Sequence, residues 1–251
     1  MITLSPYKIS MYRQCPLRYK FYYVDRLIKQ YRKDWPHLSF GDSIHSALRE
    51  FYRIPSGERR NWKQLEQLYR QNWNRKGFAT LKEEREWGLK GLAMLKAFYE
   101  REDHSVMPLL LEETLNACYQ AINLCGRIDR VDPLLESGCA IIDYKTGKET
   151  DFEEDDKTLA AAIYKYLVEH CRQCKVVKVI NYYLDSGKKV VVLSEATDIK
   201  RYLDSTLQVA EAITTDAKFL PRITKLCKWC DFLEICPSRA EIIKQVEDLP
   251  F

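Results

Sequence analysis

The chain has 251 residues, 46% of them hydrophobic, which suffices for one large domain, or a domain with an elaborated insert, around a real core. No run of about 18 apolar residues and no signal-peptide h-region occurs, so a soluble, cytoplasmic protein with no membrane partner is expected. Net charge is only +4, and nine cysteines without a secretory signal argue against a disulfide framework and for metal, cluster or core use. The charge is unevenly spread. Residues 1–33 hold eight basic residues against the single acid Asp25, a net of +7.

In chain order, Ser5-Pro6 reads as an N-cap followed by proline at the first helical position, and this helix should stop before Cys15-Pro16. A second short helix is predicted from Leu17 to about Val24. It is rich in rings (Tyr19, Phe21, Tyr22, Tyr23) interleaved with Arg and Lys, a pattern that suits either stacked bases and phosphates or simple core packing. Phe40, Ile44, Leu48 and Phe51 recur at helical spacing, with His45 beside that stripe, where a structural histidine is the commoner outcome. Ile54-Pro55-Ser56-Gly57 breaks the chain; two more helices follow, marked by Trp62, Leu65, Tyr69 and Trp73, and by Leu92, Leu95 and Phe98. Residues 38–103 thus read as a helical insert.

A β-rich half follows, spanning a core of about 106–215. Strands are predicted at Leu109–Tyr119, Ala121–Val131 and Cys139–Lys145, with turns at Asp132-Pro133 and Ser137-Gly138. A helix over Thr158–His170 carries Tyr164; two strands then flank the hairpin signature Asp185-Ser186-Gly187, and a final helix runs from Thr197 to Ile213. This order predicts an α/β class with a mixed central sheet flanked by helices.

The chemistry concentrates in GRIDRVDPLLESGCAIIDYKTGK, residues 126–148. Two apolar runs end in carboxylates, Asp129 and Asp143, and Lys145 lies two residues beyond the second. Residues i and i+2 share a strand face, so Asp143 and Lys145 point together, and Asp129 on the adjacent strand can reach the same place. Two carboxylates beside an ammonium suit a hard divalent cation. The bare D-x-K pattern also occurs at Asp155/Lys157, Asp198/Lys200 and Asp216/Lys218, but only Asp143/Lys145 follows a buried-strand run with a second strand-terminal aspartate upstream.

Cys227-x2-Cys230-x5-Cys236-Pro237, with Cys15-Pro16 far upstream, suits a four-thiolate site for zinc or an iron–sulfur cluster, with proline after cysteine favouring the cluster. Cys171-x2-Cys174, Cys118, Cys125 and Cys139 read as core residues.

LSPYKISMYRQCPLRYKFYYVDRL, FGDSIHSALREFY, GRIDRVD, IIDYKTGK and CKWCDFLEICP, in this order, resemble the RecB-type PD-(D/E)xK nucleases of the iron–sulfur branch, which includes the AddB nuclease domain and the CRISPR-associated adaptation nuclease. The resemblance spans nearly the whole chain. It implies a single nuclease domain with a restriction-endonuclease-like core and a cysteine-ligated cluster joining the N- and C-terminal ends (1–24 and 224–240). It further implies Mg²⁺ or Mn²⁺ held by His45, Asp129, Asp143 and the Tyr144 carbonyl, Lys145 as catalytic lysine, and a 4Fe-4S cluster on Cys15, Cys227, Cys230 and Cys236. The implied activity is metal-dependent exonucleolytic hydrolysis of single-stranded DNA in repair, recombination or CRISPR adaptation, with a helicase or CRISPR adaptation protein as partner. Arg13, Arg18, Lys20 and Tyr164 are expected to bind substrate. Ala160 departs from the pattern, standing where the family carries a glutamine one helical turn before Tyr164, which makes a catalytically weakened, DNA-binding module the alternative.

Overall fold

The computed structural model describes residues 1–55, 60–134, 138–148 and 154–247. The chain begins with a short strand, β1 (Thr3–Leu4), and a helix, α1 (Pro6–Gln14). Ser5 caps α1 by accepting the Lys8 N–H at 3.2 Å, and Pro6 occupies the first turn, where its missing N–H costs nothing. The helix ends at Cys15, extended at φ −158°, because a residue before proline disfavours helical geometry. Cys15 then caps α2 (Pro16–Tyr19), its Sγ accepting the Arg18 N–H at 3.5 Å.

The single helix expected over Leu17–Val24 is divided, with α2 widening into a π-helical turn over Lys20–Val24. The wider turn shifts the phase of the rings. Phe21 and Tyr22 reach Phe232 near the other end of the chain, with centroids 5.5 and 6.4 Å away, and Tyr31 of α3 (Ile28–Tyr31) joins them at 6.2 Å. Phe232 is fully buried. These ring contacts fasten the two chain ends together.

Three helices follow: α4 (Pro36–Arg53), α5 (Trp62–Gln71) and α6 (Leu81–Arg101). Helix α4 buries Phe40, Ile44, Leu48 and Phe51 as their spacing requires, and starts earlier than expected because Pro36 fits its first turn. The three helices share one apolar cluster with Tyr144 and Tyr182 of the sheet and with Leu184 just beyond it. These helices, the region the sequence reads as a helical insert, form the layer that covers one sheet face.

The sheet adds β2 (Leu110–Tyr119), β3 (Ile122–Pro133), β4 (Cys139–Lys145), β5 (Val176–Tyr183) and β6 (Lys188–Ser194). The 12-residue β3 pairs antiparallel with β2 along one edge; along the other it pairs with β1 at Asn123 and Leu124 and with β4 at Arg130–Pro133. Strands β4 and β5 are parallel, so they need a crossover, which α7 (Glu154–Arg172) supplies. β5 and β6 form the expected hairpin, with Gly187 at φ +73°. Helices α1, α7 and α8 (Lys200–Thr215) cover the second face over a core that includes Ile9, Leu124, Ile128, Ile141, Leu167 and Leu203. A mixed sheet between helical layers is the class the sequence predicts.

The turn expected at Asp132-Pro133 is instead the end of β3, with Asp132 in register with Ala140. Arg130 satisfies the Asp132 carboxylate, and Pro133 occupies the terminal strand position, which tolerates a residue without an N–H. Ser137 and Ser56-Gly57, expected in turns, lie outside the described residues. The chain closes with 3₁₀ turns at Lys225–Trp229 and Leu233–Ile235 and with α9 (Arg239–Glu247). No helix among the described residues is long and apolar enough to cross a membrane.

Candidate active site

Along β4, Cys139 and Ile141 belong to the core under α7, whereas Tyr144 belongs to the core under α4. The two-residue period places Asp143 and Lys145 on the α7 face. There the Lys145 ammonium ion-pairs with the Asp143 carboxylate. Asp129, on β3, accepts the backbone N–H of Tyr144 through Oδ2 at 2.8 Å, which fixes it beside Asp143. Burial raises the Asp143 pKa; Lys145 opposes that shift and the Asp129 charge reinforces it.

A slip in both strands aims the next groups. In β3, Ile122, Leu124 and Ile128 lie in the α7-side core, and so does Val131, which is out of step with them. In β2, Leu115 and Ala117 lie there, and so does Leu110. The alternation therefore changes phase between Ile128 and Val131 and, opposite, between Leu110 and Leu115. The register pairs Leu111 with Arg130 and Glu113 with Ile128, so Glu112 faces Asp129 within this slip. Glu112 takes φ +46°, a left-handed conformation that is strained for a residue with a side chain.

Helix α4 supplies the third group. His45 Nδ1 lies 3.0 Å from Glu112 Oε1 and 3.5 Å from Asp129 Oδ2. One ligand atom from each of His45, Glu112 and Asp129 falls within 4.8 Å of the others. Burial alone would lower the His45 pKa, but the charges and hydrogen bonds of Asp129 and Glu112 carry it up to about 10. The second Glu112 oxygen accepts from Arg127 Nε at 2.6 Å.

Of the residues the sequence singles out, His45, Asp129, Asp143 and Lys145 come together here. Asp143 lies outside the tight three-residue group, its carboxylate engaged by Lys145. Glu112 is the member that sequence reasoning missed. Its signal was readable, because folding the hairpin about Gln120-Ala121 sets residue 112 opposite 129. Tyr164 stands at the site's α7 wall: burial raises its pKa, and the charges of Asp143 and Asp129 add to the shift. Its ring also explains Gly126, since a Cβ there would lie 2.9 Å from Tyr164 Cε1.

The Tyr144 hydroxyl accepts from Arg130 at 3.1 Å on the opposite sheet face. The basic residues expected to bind substrate lie near the N-terminus, away from the carboxylates. Arg13 pairs with Asp156 at 2.9 Å, Lys20 pairs with Asp25 at 2.6 Å, and Arg18 turns toward the cysteines. Ala160 has no side-chain donor to contribute.

The profile of the PD-(D/E)XK nuclease superfamily matches residues 3–237. The chain belongs to this superfamily. Among solved structures, SSO0001 is similar over 94% of this chain and 86% of its own, at 15% identity and TM-score 0.44. A candidate exonuclease from Eubacterium rectale is similar over 91% of this chain and 86% of its own, at 14% identity and TM-score 0.51. At 14% identity the second likeness is one of fold. No curated protein matches the sequence at a significant level. As in other PD-(D/E)XK nucleases, a divalent metal is the implied cofactor, and the His45, Glu112 and Asp129 donors fit one.

In this PD-(D/E)XK nuclease, Cys15, Cys227, Cys230 and Cys236 all line one pocket between the two chain ends. Backbone N–H groups point at two of the sulfurs: Arg222 N lies 3.5 Å from Cys15 Sγ and Thr224 N lies 3.3 Å from Cys227 Sγ. Arg18, which lines the same pocket, has a buried Nε with no hydrogen-bond partner. Burial raises the pKa of both Cys230 and Cys236. Such a pocket provides four soft donors with N–H groups and a cation around them.

Proposed function

We propose that this protein is a metal-dependent deoxyribonuclease that hydrolyses single-stranded DNA from an end, using Mg²⁺ or Mn²⁺ held by His45, Glu112, Asp129 and Asp143. The observation that carries this reading is the convergence of three ligand atoms, from α4, β2 and β3, within 4.8 Å beside the Asp143–Lys145 pair of β4 in a PD-(D/E)XK fold. Oxygen donors with one imidazole suit a hard divalent ion. When bound, such an ion supplies Lewis acidity at the scissile phosphate and neutralises charge that develops there.

The chain's own groups do the rest. Lys145 keeps a positive charge at the site because Asp143 outweighs the effect of burial, which would lower its pKa. That charge is placed to stabilise the phosphorane-like transition state. The Asp129 carboxylate is oriented by the Tyr144 N–H, and Glu112 by Arg127, so the ligands are fixed before substrate arrives.

The four cysteines are proposed to hold a structural 4Fe-4S cluster that clamps the two chain ends. The unpartnered Arg18 Nε and the N–H groups directed at sulfur support an anionic occupant. DNA end processing in repair, recombination or CRISPR adaptation is the setting that fits, with a helicase or adaptation protein as partner.

The test is cleavage of single-stranded DNA, blocked at its 5′ or 3′ end, by protein purified without oxygen. Mn²⁺-dependent release of nucleotides, stopped by one of the two blocks, is the expected result; metal-independent or absent cleavage by folded protein contradicts it. Ala160 favours one rival, a nuclease-fold module that binds DNA without cutting. That rival predicts binding with no cleavage in any divalent ion. Iron and sulfide in the isolated protein, lost in Cys15→Ala, are expected for the cluster, and zinc without iron would overturn it.

A further inference from the structure

Outside the carboxylate site, an exposed group of side chains near the cysteines combines several aromatic planes with positive charge. Trp229, in the 3₁₀ turn between Cys227 and Cys230, is 47% exposed. Its ring meets Trp35 at 5.1 Å and His37 at 6.5 Å, both edge to face, while Trp35 and His37 stack on each other at 6.4 Å. Lys228 Nζ lies 5.3 Å from the Trp229 ring centroid. Exposed Leu226 and Leu38 extend the apolar area.

The surrounding charge is positive on balance. Lys225 and Lys228 precede Trp229 in the same turn, Lys33 precedes Trp35, and Lys76 adjoins Gly77, whose backbone packs so closely under Trp35 that a Cβ there would lie 2.7 Å from the Trp35 carbonyl carbon. The acids in the same segments are Asp34 and Asp231, and Asp231 accepts the Lys33 N–H at 2.9 Å. A face that offered only apolar area would suit a protein partner. Ring planes bordered by lysines instead match a nucleotide chain, which presents a base plane and a phosphate at every step.

Position strengthens the match. His37, Gly41 and His45 follow the i, i+4, i+8 ridge of α4, and Gly41 faces Thr146, the residue after Lys145, with a 3.4 Å clearance for a Cβ. Eight residues of helix span about 12 Å. The ring cluster therefore begins about three to four nucleotides from the carboxylate site, at the ~3.4 Å spacing of a stacked strand.

We infer that Trp229, with Trp35, His37 and Lys228, is a stacking platform that holds single-stranded DNA a few nucleotides away from the cleavage site. This deepens the nuclease reading and rests on it for the identity of the ligand. The alternative is that the rings merely pin the C-terminal segment to α4, or receive a protein.

Affinity for fluorescently labelled oligo-dT, measured by anisotropy with a chelator present so that no cleavage occurs, separates these cases. The protein is used as isolated, with its metal content checked in every variant. Trp229→Ala is expected to weaken binding at least about fivefold, the lower end of one lost base stack, with Trp229→Phe close to wild type. Lys228→Glu should weaken binding and reduce its salt dependence. As a measurement that needs no destabilising change, oligo-dT should quench the tryptophan emission of the wild type, and Trp229→Phe should remove most of that quenching. Unchanged affinity in folded Trp229→Ala, or no quenching in wild type that binds DNA, overturns the platform. Absence of cleavage with the platform effects intact would instead count against the nuclease reading alone.

Discussion

Two groups of charged side chains are built on adjacent residues of β3 and β4 and face opposite sides of the sheet. Under α4, Arg130 donates to both oxygens of Asp132 at 2.6 Å, reaches the Tyr144 hydroxyl at 3.1 Å and lies 3.8 Å from the Tyr52 ring centroid. There Arg130 and Asp132 neutralise one another as a bidentate pair. Under α7, three carboxylates (Glu112, Asp129 and Asp143) share Lys145, the half-exposed Arg127 and His45. A group with more carboxylates than permanent cations is one where a divalent cation can complete the balance. Burial alone would not have separated the two, since Arg130, Asp132 and Asp143 are all buried.

The sharpest way to break this contrast is to remove one member from each side. Asp143→Asn should reduce Mn²⁺-supported cleavage by about 10³-fold or more, roughly 4 kcal/mol of barrier, without lowering the metal-free midpoint in urea. Single-turnover cleavage and urea unfolding measure the two halves of that statement. Arg130→Met should do the reverse, costing about 3–5 kcal/mol of stability because it strands the Asp132 charge. The double variant Arg130→Met/Asp132→Leu should recover most of that loss, as replacement of a closed buried pair by apolar groups can.

Smaller effects refine the site itself. Gly126→Ala forces a Cβ against Tyr164 and, at 3.1 Å, against Leu167 Cδ1, so overpacking of about 1–3 kcal/mol is expected with a displaced Tyr164 ring. Calorimetry and the near-ultraviolet tyrosine signal would detect it. Smallest of all, Glu112→Gly should be more stable than Glu112→Ala by about 1 kcal/mol, because only glycine adopts φ +46° without strain. Both variants should bind Mn²⁺ more weakly than wild type. Equal stability of the two would mean that the left-handed residue stores no strain.

Much of this was legible from the chain. The period of two along Ala140–Lys145 put Asp143 and Lys145 on one face, and apolar endings marked the strands that bring Asp129 beside them. What was harder to read arose where a local rule yields to a long-range one. The slip at Glu112 and Asp129 breaks the alternation that strand prediction relies on, so Glu112 looked like one of two ordinary acids in a strand. His45 reads as structural from its spacing alone because its neighbours on α4 are core residues; the family resemblance made it a metal ligand, and the Glu112 and Asp129 contacts from the sheet place it beside the carboxylates. The basic N-terminal segment shows the same long-range effect: two of its cations pair with Asp156 and Asp25, and its ring Phe21 packs on Phe232 from the far end of the sequence.

The claim that joins these observations is that the α7-side charges form a divalent cation site. Crystals soaked in Mn²⁺ and measured at the manganese absorption edge test it most directly. An anomalous peak coordinated by His45 and Asp129, together with Asp143 or Glu112, is the predicted result. Strong peaks elsewhere with none among these side chains, in crystals whose protein still cleaves DNA, would contradict it.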